Sequence, residues 1–189
     1  QVSIANETAV STTSSGTSAA QATAAASSSQ NQSKYEANVA NVASVAGKMD
    51  NRVIAAYQQL GFKLVVDPSV NYSGYFDARS RSITMKQIDD SVYHELGHFL
   101  AFIAGNVDKT ASFQSIFAAE KANVTAFNKA YVTQNASEYF AESVKDYILN
   151  NASLKSTRPQ TYAAVQNALN QITDAQIAKI QKIYGAFWN

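Results

Sequence analysis

The chain contains two histidines, and they stand four residues apart in His94-Glu95-Leu96-Gly97-His98. Positions i and i+4 share one face of an α-helix, one turn apart. Val92, Leu96, Phe99, Leu100 and Ile103 recur around them at helical spacing. That pattern predicts a buried helix capped by Asp89 or Asp90, running to about Ala104 and ended by Gly105-Asn106. Such a helix aims both imidazoles at one point. Gly97 removes bulk where another backbone approaches.

Two imidazoles so placed can hold one metal ion at ~2.0–2.1 Å. Glu95 reaches the ion less easily and stands beside it, where it can take a proton from a water. A purely structural site gains nothing from an acid there. A catalytic zinc site has three protein ligands and one open position. The chain has no third histidine and no cysteine, so the third ligand is a carboxylate. Ser137-Glu138-Tyr139-Phe140-Ala141-Glu142 is the best segment, because Glu138 and Glu142 are again i and i+4 on a helix. One can bind metal while the other accepts a hydrogen bond from a ligand histidine. Asp108, Glu120 and Asp146 are weaker rivals.

Elsewhere the pattern reads as α+β. Val39, Val42, Ala43, Ala46, Met49, Val53, Ala56, Tyr57 and Leu60 predict one long helix stopped at Gly61. Phe62–Val66 reads as a strand, and Gly74–Ala78 with Ser82–Lys86 as an edge hairpin. Helices are expected over 111–121, 138–150, 160–170 and 174–187. Residues 1–33 are nearly all Ser, Thr, Ala, Gln and Asn, a composition that buries too little apolar surface to offset its ordering entropy. They are expected to be a tail or linker, with one domain over 34–189.

Net charge is +1 and charged residues make up 15% of the chain, so nothing points to nucleic acid. No segment is long and apolar enough to span a membrane. The absence of cysteine excludes a disulfide scaffold, a thiolate metal site and a cysteine nucleophile. It also fits a secreted bacterial protein.

The pair of motifs HELGH and SEYFAE resembles the catalytic domain of anthrax lethal factor and, more closely, the small bacterial Pro-Pro endopeptidases. Lys48–Asp67 resembles the helix and first strand before their active site, so the likeness spans roughly residues 35–170. The resemblance implies a zincin-like metalloprotease domain: a small sheet with an edge hairpin packed on the HExxH helix, and a mostly helical C-terminal half. It implies Zn2+ held by His94, His98 and Glu138, with Glu142 in support. It assigns catalysis to Glu95 and to Tyr131, seven residues before the ligand glutamate. The implied activity is zinc-dependent endopeptidase cleavage of extended peptide or protein segments, with Pro-Pro bonds of secreted or surface proteins as the favoured target. A toxin-like protease with one host substrate and a non-catalytic zinc-fold binding module are the alternatives. The Pro-Pro enzymes carry a tryptophan in the hairpin, whereas the single tryptophan here is Trp188. Tyr72, Tyr75 and Phe76 are candidates to replace it, with Gly74, Tyr75 and Phe76 expected to meet substrate.

Overall fold

The computed structural model describes residues 38–188; the expected tail over 1–33 lies outside them. In chain order the elements are β1 (Val39–Ala40), α1 (Val42–Val45), α2 (Asn51–Gln59), β2 (Lys63–Val66), β3 (Gly74–Asp77) and β4 (Ser82–Met85). There follow α3 (Ser91–Ile103), α4 (Ala111–Glu120), α5 (Lys129–Val132), α6 (Ala136–Leu149), α7 (Asn151–Thr157), α8 (Pro159–Asn170) and α9 (Asp174–Trp188). The architecture is α+β, with a four-stranded sheet in the order β1-β2-β4-β3. The sheet is mixed: β2 and β4 run parallel, while β1–β2 and β3–β4 are antiparallel.

The long helix expected over residues 39–60 is instead a strand and two helices. Val39 is drawn into the sheet opposite Val65. Asn41 starts α1 by accepting from the Ala43 amide at 2.9 Å, and Asp50 starts α2 by accepting from the Arg52 amide at 2.9 Å. A side chain that caps a helix start competes with continuing the helix through it, so two caps outweigh an unbroken apolar period. Gly61 ends the segment with φ 74°, in the left-handed region where glycine carries no Cβ penalty.

In β4 Ile83 and Met85 turn inward and are fully buried. β3 lies at the edge of the sheet, pairing Gly74 with Met85 and Phe76 with Ile83. Alternation along β3 puts Gly74 and Phe76 on the face toward α3, and Tyr75 on the other. Phe76 accordingly packs against Phe62, Phe99 and Phe102. Trp188, remote in sequence, closes the hairpin turn: its Nε1 donates to the Ala78 carbonyl at 2.9 Å and its ring meets Phe62 edge-on.

α3 is the central helix, with Leu96, Phe99, Leu100 and Ile103 fully buried. α6 packs along it so closely that a Cβ on Gly97 would lie 2.7 Å from both Cα and O of Ala141. The bare glycine is what lets the two backbones meet. α6 is fixed from its far side by a buried polar network. Glu120 of α4 accepts from the Gln160 and Thr161 amides at 3.0 and 2.9 Å, satisfying orphan donors at the start of α8. The Thr161 hydroxyl meets the Tyr139 hydroxyl at 2.7 Å, and Arg158 bonds Ser143 and Asp146. Glu120 and Asp146, two rivals for the third ligand position, are thus engaged away from the histidines.

Candidate metal centre and active site

The contact of Gly97 with Ala141 sets the register in which the two helices face each other. On α3 the same stripe carries His94 and His98; on α6 it carries Glu138 and Glu142. α6 begins two residues earlier than expected, because the Asn135 side chain caps it by accepting from the Glu138 amide at 2.9 Å. Glu138 therefore sits in the first turn, where its charge is also favoured by the helix dipole.

His94 Nε2 lies 3.1 Å from Glu138 Oε2, and His98 Nε2 lies 3.6 Å from the same oxygen. One donor atom from each of the three residues falls within 4.8 Å of the others, a set that could hold a metal ion. Bonds of ~2.0–2.1 Å in a tetrahedron put ligand atoms ~3.3 Å apart. The two observed separations bracket that value, so the donor set fits zinc in both spacing and chemistry.

His94 Nδ1 lies 2.9 Å from Glu142 Oε2. A carboxylate only accepts, so both ring nitrogens of His94 donate, Nδ1 to Glu142 and Nε2 to Glu138. Burial disfavours the imidazolium, but the hydrogen bonds to Glu138 and Glu142 outweigh it and raise His94 to about 9. Burial raises Glu138 as well, yet its bonds to the two histidines prevail and hold it far below the ordinary carboxylate range. A metal ion held here would displace the Nε2 proton and leave Nδ1 to donate to Glu142.

Glu95, also buried, stands beside the cluster with its carboxyl pushed up from the ordinary value, chiefly by desolvation. The nearby Phe76 main chain opposes that shift. Gly74 crosses directly over it: a Cβ there would lie 2.7 Å from Glu95 Cγ and Oε1. Tyr131 is half exposed, its ring 6.4 Å from that of His94. Burial and the Glu138 charge lift its hydroxyl to about 12, so it stays protonated.

The three residues expected to meet substrate divide by the geometry of β3. Tyr75 is exposed and its ring lies 5.8 Å from Tyr72. Gly74 faces Glu95. The Phe76 ring is partly buried and packs against the core, as strand alternation requires. A cavity of about 350 Å³ adjoins the centre, lined by His94, Glu95, Tyr131 and Tyr72 together with Asn128 and Lys145. Neither of the last two was expected. The signal for Lys145 was available, since it stands three residues after Glu142 and seven after Glu138 on one helix face.

Residues 78–168 match the family model described as anthrax toxin lethal factor, N- and C-terminal domain. A 78-residue stretch is 41% identical to a Pro-Pro endopeptidase of Clostridioides difficile (strain 630), covering 39% of this chain and 34% of that protein. The match thus spans about a third of the relative's length. The resemblance carried by HELGH and SEYFAE is present over this part of the chain. Gly74–Asp77 and the Lys48–Asp67 segment fall outside the range of the family match.

Proposed function

From that resemblance and the converging donors, we propose that the chain is a zinc-dependent endopeptidase with a zincin-like catalytic domain, cutting extended peptide segments. Pro-Pro bonds in secreted or surface proteins are the favoured target, by analogy with the relative's name. The observation that carries the reading is the meeting of His94, His98 and Glu138 beside a buried, unligated Glu95.

Bound zinc supplies a Lewis acid that polarises the scissile carbonyl and makes water easier to deprotonate. Glu138 and the two histidines are the residues that would hold it, with Glu142 fixing the His94 ring. Glu95 takes the proton of the attacking water and returns it to the leaving amine. Desolvation raises its carboxyl above the ordinary value, which makes it a stronger base for that proton. Tyr131 remains protonated and donates to the developing oxyanion. The outer edge of β3, which pairs with no further strand among the described residues, offers main-chain groups to an extended peptide, and the Tyr72–Tyr75 pair offers apolar faces of the kind that recognise proline.

The test is mass spectrometry of products from a peptide library centred on Pro-Pro. Wild type is compared with Glu95→Ala, each with and without a chelator. Cleavage between the prolines that vanishes with chelator and in the variant is the expected result. Cleavage elsewhere with the same dependence keeps the protease and discards the specificity. Cleavage that survives both treatments overturns the mechanism.

A further inference from the structure

Glu142 is a buried carboxylate whose two oxygens are engaged separately. Oε2 meets His94 Nδ1 at 2.9 Å, while Oε1 meets Lys145 Nζ at 3.4 Å. Among the described residues its ion-pair partners are His94 and Lys145. Resting on the zinc-centre reading, we propose that Lys145 is a positioning residue for that centre, holding Glu142 so that Glu142 holds His94.

Glu142 links two contacts: its Oε2 on His94 Nδ1 fixes the ring so that Nε2 faces Glu138, and its Oε1 lies on the Lys145 ammonium. The carboxylate is 6% exposed, so little water reaches it to replace a lost partner. A buried charge that loses its partner is strongly disfavoured. Removing Lys145 therefore loosens the carboxylate that holds the His94 ring. The Lys145 side chain is 28% exposed, lying between a surface ion pair and a buried one. It also lines the cavity beside the centre, and direct substrate contact is the rival role that the experiment separates.

The experiment titrates metal-free protein with zinc against a chromophoric chelator, a readout independent of turnover. The proteins are wild type, Lys145→Met, Lys145→Arg, Glu142→Gln and the Glu142→Gln/Lys145→Met double variant. Lys145→Gln replaces the methionine variant if circular dichroism shows a disturbed α6. Groups that support ligands in this way are worth about 10–100-fold in metal affinity, and the expected loss for Lys145→Met is about tenfold. Lys145→Arg is expected to restore most of it. In the Glu142→Gln background the lysine change is expected to alter affinity by less than about twofold, because coupled residues are non-additive.

Unchanged zinc affinity in Lys145→Met, with only KM for peptides altered, overturns the proposal and makes Lys145 a substrate contact. Tighter binding overturns it as well, since the cation would then act by direct repulsion. An equal loss in both backgrounds shows that Lys145 does not act through Glu142. Wild type that takes up no zinc overturns the reading of the centre together with this inference, whereas normal wild-type uptake with any of the preceding results overturns the inference alone.

Discussion

Replacing Gly74 by alanine tests the placement of Glu95 without touching a ligand or an acid. The added methyl would stand 2.7 Å from Glu95 Cγ and Oε1 and 2.9 Å from Cδ. Ordinary carbon contact begins at ~3.5 Å, so the carboxylate must retreat by roughly 0.8 Å. The retreat cannot be confined to the tip of the side chain, because Cγ is struck as hard as the carboxylate oxygen. Misplacing a reacting group by ~1 Å costs about 10²-fold in rate, or ~2.7 kcal/mol of barrier. The expected outcome is a fall of about 100-fold in kcat/KM on a cleaved peptide, with zinc affinity unchanged because Glu95 is not a ligand. Gly74 has no left-handed backbone torsion, so the alanine brings no backbone strain of its own. Near-normal thermal stability should therefore accompany the loss of activity. Tyr75→Ala is the control, since that side chain leaves the opposite face of β3 and its removal should act on KM. Wild-type kcat/KM in Gly74→Ala would refute the role given to the close crossing of β3 over Glu95.

Gly97→Ala should act differently, because its methyl meets backbone atoms of Ala141 at 2.7 Å that cannot rotate away. α6 must shift, at a cost of ~1–3 kcal/mol in denaturant unfolding, and zinc affinity should fall with it; unchanged affinity would disprove that this contact sets the ligand register. Tyr131→Phe should lower kcat by ~10²-fold while leaving zinc content unaltered, as measured by steady-state kinetics beside metal analysis. An unchanged kcat assigns Tyr131 to packing. Zinc at about 100 times its dissociation constant should stabilise the metal-free protein by ~2.7 kcal/mol in thermal melts, reversibly with chelator. No rise in melting temperature argues against a site formed by the folded chain.

The sequence disclosed the parts of this site that depend on helical period alone. His94 and His98 on one helix, and Glu138 and Glu142 on another, are each a local i, i+4 pair. Their roles could be argued from donor chemistry before any contact between the helices was known. What stayed hidden depends on one backbone approaching another. Gly97 was legible as a gap in α3, but its occupant, Ala141, was not. Gly74 looked like a substrate contact, and only the sheet register turns it toward Glu95. The inward packing of Phe76 was hidden for the same reason: strand alternation can be read in sequence, but which face is inward depends on where α3 lies.

The helix misread over residues 39–60 arose where two capping side chains, Asn41 and Asp50, interrupt an apolar period that continues through them. These cases share a physical cause. Period and donor type are properties of neighbours in sequence, whereas close approach joins residues more than twenty positions apart. The two glycines divide that work, Gly97 bringing Glu138 to the histidines and Gly74 seating the edge strand on Glu95. The two contacts lie on different faces of α3, which makes the His94, His98 and Glu138 cluster and Glu95 separately perturbable. Gly74→Ala and Gly97→Ala should therefore split catalysis from metal affinity, and a common phenotype in both variants would mean that α3 responds as one rigid unit.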